Sequence, residues 1–160
     1  MPSVLFVCSA NRFRSPLAEA VFKQCLQEAG CQEGWELTSA GTWIEPGLPA
    51  FPTALTAAKG MGLDLSSHRT KPVTAELLLS MDLVIVMAAG QAEAIRLEFP
   101  AAAGKTCLLS EMATALAYDI PDPFDPMVDS HQALAEEICD LVKMGYNKIV
   151  ADGRSSEKLT

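Results

Sequence analysis

Cations are scarce in this chain of 160 residues: 12 Lys and Arg stand against 20 Asp and Glu, a formal net charge of -8. A nucleic-acid partner is therefore not expected, because proteins that bind such backbones carry surplus Lys and Arg to displace counterions. Histidine is scarcer still. His68 and His131 lie far from each other and from any cysteine in sequence. The five cysteines (Cys8, Cys25, Cys31, Cys107, Cys139) are odd in number and contain no Cys-x-x-Cys pair. This spacing argues against both a zinc site and a disulfide framework, so reduced thiols, no metal and no cofactor are expected. No run reaches the roughly 18 apolar residues of a membrane span, and the amino terminus lacks a basic segment followed by an apolar run and a cleavage site. The expectation is a cytoplasmic protein with no membrane partner. Internal repeats and low-complexity segments are also missing.

What is present is a core: 49% hydrophobic residues with 20% charged is the balance of a soluble globular domain. Val4 to Val7 reads as a first strand and Leu17, Val21 and Cys25 as one stripe of a helix that Gly30 closes. Trp35 to Ala40 reads as a second strand ending at Gly41, and the proline-broken Thr42 to Pro52 as a surface loop containing Trp43 and Phe51. Helices are predicted over Thr53 to Met61 and Thr74 to Leu79. The β-branched run Met81 to Met87 has the pattern of a strand buried on both faces, in the middle of the sheet. A helix over Ala89 to Phe99, a short strand over Thr106 to Leu109, an Asp- and Pro-rich loop over Tyr118 to Val128 and a helix over His131 to Met144 complete the series. This alternation predicts one doubly wound α/β domain over residues 1–150, with a four-stranded parallel sheet and helices on both faces. Residues 151–160 are polar and expected to form a flexible tail. Ligands are expected at the carboxyl ends of the strands.

One segment sits at such an end: Val7-Cys8-Ser9-Ala10-Asn11-Arg12-Phe13-Arg14-Ser15-Pro16. A loop between a strand end and a helix start turns its backbone N–H groups inward and adds the positive end of the helix dipole, which suits an anion of phosphate size. Those groups and the guanidinium of Arg14 would hold Cys8 as a thiolate. Arg14 can grip two phosphate oxygens with its planar fork. Ser15 suits a helix cap and could donate to the sulfur, and Pro16 suits the first helical position. Phosphoryl transfer to a cysteine also needs a proton for the leaving oxygen. Pro121 and Pro123 stiffen Asp122 in an extended loop where its carboxyl could act as general acid and then general base, with Asp119 and Asp125 as the next candidates.

The Cys8 loop resembles the low-molecular-weight protein tyrosine phosphatase family, whose signature is a cysteine and an arginine at this spacing followed by Ser-Pro. Asp122-Pro123-Phe124 is similar to the family's acid motif, and Ser39-Ala40-Gly41-Thr42 and Ser67-His68-Arg69 look like two more of its segments. The resemblance implies Cys8, Arg14 and Asp122 as catalytic residues. It implies a phosphate and substrate site from Ser9, Ala10, Asn11, Arg12, Phe13, Ser15, Trp43 and Phe124. It also implies a structural network of Asn11, Ser39 and His68. The substrate would be a phosphorylated protein, phosphotyrosine foremost, or a small aryl phosphate, and the protein a monomer or weak homodimer.

This chain departs from the family near the site. Ala10 replaces a common glycine, which would strain the loop if that position needs positive φ. Arg12 is an extra cation, Phe13 replaces a second cysteine, Ala88 stands where aspartate is common, and Asp125 follows Phe124. Three alternatives stay open. An arsenate reductase of the same fold would need relay thiols where Met87-Ala88-Ala89-Gly90 stands. A protein arginine phosphatase would have to seat a guanidinium beside Arg12. A non-catalytic phosphate-binding module would need neither nucleophile nor acid.

Overall fold

A computed structural model describes residues 1–155. The strands are β1 Ser3–Cys8, β2 Glu36–Gly41, β3 Leu83–Val86 and β4 Thr106–Leu108. The α-helices are α1 Arg14–Glu28, α2 Pro52–Gly60, α3 Ala75–Ser80, α4 Ala89–Glu98, α5 Leu109–Thr114 and α6 His131–Ser155. All strand pairs are parallel, in the order β2-β1-β3-β4. The expected α/β fold with its four-stranded sheet is the observed one, and β1 shares the centre with β3.

Alternation along β1 builds two cores. Val4, Phe6 and Cys8 face a layer containing α1 and α6, while Leu5 and Val7 face one containing α3 and α4. Continuous burial of Leu83 to Val86 follows from helices on both faces. Because β2 and β3 flank β1 on opposite sides, the chain leaves the carboxyl ends of β1 and β3 in opposite directions, and a crevice opens there. Cys8 is the last residue of β1.

Three boundaries differ from the sequence pattern. Helix α1 begins at Arg14 with Phe13 as its cap residue, so Ser15 lies inside the first turn and its hydroxyl is free for another partner. Helix α5 is too short to show a periodic stripe. Helix α6 runs on to Ser155, well past Met144, and so takes in residues 151–155 of the expected tail; residues 156–160 lie outside the described part. Two glycines within α6 are close-approach points: a Cβ on Gly145 would lie 3.2 Å from the Met112 backbone, and one on Gly153 would lie 2.8 Å from the Trp35 ring. Trp35 is itself buried, edge-on to Phe22 at 5.7 Å between centroids. Gly153→Val is therefore expected to lower the melting temperature by several degrees, the effect of about 1–3 kcal/mol of overpacking, as read by thermal unfolding.

Candidate active site

Asn11 sets the shape of the loop after β1. Its φ is 57°, in the left-handed region, which asparagine tolerates better than most side chains. Ala10 is not among the positive-φ residues, so the methyl group that replaces the family's glycine brings no backbone strain there. The Asn11 side chain is fully buried and fully used: Nδ2 donates to Ser15 Oγ (2.9 Å) and Ser39 Oγ (3.1 Å), and Oδ1 accepts from Lys71 N–H (3.1 Å). His68 Nε2 donates to the Asn11 carbonyl at 2.6 Å. The expected trio of Asn11, Ser39 and His68 is thus brought together, and Ser15 and Lys71 join it.

The buried Cys8 sulfur lies at the centre of this loop. It takes the Asn11 N–H at 3.2 Å and stands 3.0 Å from Ser15 Oγ. Ser15 Oγ accepts from Asn11 and keeps its own proton, which a thiolate at Cys8 would accept. Arg14 is 4% exposed; Nη1 donates to the Ile120 carbonyl at 2.9 Å, and Nη2 reaches Asp122 Oδ2 at 3.3 Å. Ile120 in turn donates its N–H to the Met87 carbonyl at the end of β3 (2.9 Å), which brings the Asp122 segment beside the loop. Asp125 is turned elsewhere, its carboxylate on the Met127 N–H, whereas Asp119, which accepts the Ala89 N–H, lines the same cavity as Asp122. A cavity of about 350 Å³ is bounded by Ser9, Arg14, Thr42, Gln91 and Asp122.

The remaining expected residues divide. Phe124 is exposed, but its ring meets Phe51 edge-on at 5.0 Å and His131 at 5.5 Å. Trp43 stands in solvent, 90% exposed, and the ring contacts of Phe124 are with Phe51 and His131. Phe13 is buried against His131 and belongs to the core, contributing backbone rather than side chain to the loop. Arg12 folds back: Nε donates to the Pro49 carbonyl (2.8 Å) and the guanidinium lies 4.1 Å over the Phe51 ring. Sequence reasoning also missed the buried Gln91. Its Oε1 accepts the N–H groups of Met87 and Ala88, and its Nε2 donates to Ser9 Oγ at 3.1 Å, joining the ends of β1 and β3. Among the described residues no group of His, Cys, Asp and Glu converges in the manner of a metal site, and no helix is long and apolar enough to cross a membrane.

A sheet ending in a cysteine, closed by a loop onto a buried arginine, is the architecture of an α/β phosphatase, a phosphoric monoester hydrolase. The family model "Low molecular weight phosphotyrosine protein phosphatase" matches residues 3–157, and the chain belongs to that family. It is 33% identical to a probable low-molecular-weight protein-tyrosine-phosphatase, EpsP, of Ralstonia nicotianae, over 91% of each chain. It is 31% identical to a protein-arginine-phosphatase of Bacillus subtilis, over 94% of this chain and 99% of that one. The crystal structure of the low-molecular-weight protein tyrosine phosphatase of T. tengcongensis superposes with a TM-score of 0.83 at 33% identity, covering 92% and 99% of the two chains.

Two outcomes are expected. Asn11→Ala leaves an alanine at φ 57° and strips partners from Ser15, Ser39 and Lys71, which should cost roughly 2–4 kcal/mol in urea unfolding. Asn11→Gly, which relieves the backbone alone, should recover only part of that. The second outcome concerns the thiols: burial, with Glu28 nearby, pushes the Cys25 thiol up, and burial with Glu111 pushes Cys107 up to about 12. Alkylation at neutral pH should therefore modify Cys8 ahead of both, and peroxide inactivation should be rescued poorly by thiol reductant, because Phe13 occupies the position of a trapping cysteine. Peptide mass mapping and activity recovery check this.

Proposed function

We propose that this chain hydrolyses protein phosphotyrosine through a cysteinyl-phosphate intermediate. The observation that supports it best is the convergence of Cys8, Arg14 and Asp122, from β1, α1 and a distant loop, with Arg14 Nη2 3.3 Å from Asp122 Oδ2. In the first step the Cys8 sulfur attacks phosphorus, the S–P bond forms as the bond to the aryl oxygen breaks, and Asp122 gives that oxygen its proton. Arg14 and the loop N–H groups stabilise the equatorial oxygens. In the second step Asp122 takes a proton from water, water oxygen bonds to phosphorus and the thiolate leaves, releasing phosphate. A phosphate dianion draws the Arg14 fork towards its own oxygens, which frees the Asp122 carboxyl for the leaving group.

The similarity to a protein-arginine-phosphatase supports a second substrate reading. Arg12 weighs against it, because a cation held by Pro49 and Phe51 beside the Phe124 wall opposes a guanidinium leaving group and is indifferent to a phenol. A side-by-side assay on phosphotyrosine, phosphoserine, phosphoarginine and arsenate decides between them. Preference for phosphotyrosine supports the proposal, and preference for either of the last two overturns it. Cys8→Ser is expected to abolish turnover, and chelator to leave it unchanged. Asp122→Asn should slow phosphotyrosine hydrolysis by roughly 10²–10⁴-fold and p-nitrophenyl phosphate much less, since a good leaving group needs little protonation.

A further inference from the structure

We propose that His131 is a positioning residue for the general acid, orienting the Asp122 carboxylate through the single peptide plane between Pro123 and Phe124. This rests on the reading of Asp122 as the acid. His131 opens α6, and its Nε2 lies 2.8 Å from the Pro123 carbonyl. A carbonyl only accepts, so Nε2 carries the proton. On the other end of the same peptide unit, the Phe124 N–H donates to Asp122 Oδ1 at 2.9 Å. The peptide is rigid and planar, so fixing its oxygen fixes the direction of its N–H, and bonds in series polarise one another. A chain thus runs from the imidazole to one carboxylate oxygen, while Arg14 engages the other.

The ring is held so that it can do this. Nδ1 lies 2.8 Å from Thr53 Oγ1 on α2, and the ring is edge-on to Phe13 and to Phe124, each at 5.5 Å between centroids. Phe13 is the residue before Arg14 in the phosphate loop. His131 therefore ties the acid segment to the loop that binds the phosphate, and sets the distance between the proton donor and the reacting phosphorus. An aromatic ring without nitrogens would keep the packing and lose the orientation.

The experiment compares kcat/KM on phosphotyrosine and on p-nitrophenyl phosphate for His131→Phe, His131→Gln, Asp122→Asn and the double variant His131→Phe/Asp122→Asn. Melting temperatures are measured alongside. His131→Phe is expected to lose roughly 10- to 100-fold on phosphotyrosine, the scale of a displaced catalytic group, and far less on p-nitrophenyl phosphate. His131→Gln, whose amide reaches the same carbonyl, should recover most of the loss. In the Asp122→Asn background His131→Phe should change nothing further. Equal losses on both esters, losses that multiply in the double variant, or no loss would overturn the proposal while Asp122→Asn still shows its leaving-group dependence. If Asp122→Asn shows none, the acid assignment falls and takes this proposal with it. Should His131→Phe not fold, His131→Asn, polar but too short to reach Pro123, carries the same comparison.

Discussion

The site depends on one residue held in an uncommon conformation. Asn11 turns the chain through φ 57°, and its side chain bonds to α1, β2 and the Lys71 segment at once. The bonds to Ser15 and Ser39 are buried and the one to Lys71 partly so, and an unmet polar group there costs about 1–3 kcal/mol, so the network is held as a unit. The same turn puts the Asn11 N–H on the Cys8 sulfur, and the same side chain donates to Ser15 Oγ, which stands 3.0 Å from that sulfur. The geometry around the sulfur follows from the structural network behind it. Gly41 belongs to this constraint: a Cβ there would lie 2.7 Å from the Ser9 carbonyl and 3.1 Å from Asn11 Cβ.

The second half of the site arrives from across the chain and is anchored differently. No strand carries Asp122; Ile120 pairs with the end of β3 and with Arg14, and His131 holds the far side. A segment pinned at a few points can yield between binding and release more readily than one in a sheet ladder. Arg14 links the halves. With Ile120 and Asp122 as its partners it is preset in the crevice, so an incoming phosphate meets an oriented fork.

How much could be read in advance follows from range. The strand order, the buried β3 and the Cys8 loop rest on local patterns, and the strand-to-helix turn needs only a few adjacent residues. Asn11, Ser39 and His68 were legible through the resemblance, because their spacing along the chain shows nothing of contact. Lys71, Gln91 and Phe51 reach the site from separate loops and helices, and nothing in their neighbourhoods marks them. Trp43 is exposed, and an aromatic in a loop near a strand end looks the same in sequence whether it lines a wall or faces water. The continuation of α6 was hidden by Gly145 and Gly153, which lower helix propensity yet are what lets the helix approach Met112 and Trp35.

The relatives include phosphatases named for tyrosine and for arginine, at similar identity and almost equal coverage. A shared fold and loop cannot then carry the choice of leaving group, which falls to the few side chains around the opening. Arg12 belongs to the loop between Cys8 and Arg14 and is held in place. Its carbonyl accepts the Phe51 N–H, its Nε donates to Pro49, and its guanidinium lies on the ring that meets Phe124. The cation and the aromatic wall are therefore one assembly. A flat neutral ring gains from the wall and loses nothing to the charge. On the proposed reading a substrate guanidinium would have to shed water beside a fixed like charge, and discrimination would come from that repulsion as much as from any attraction for a phenyl ring.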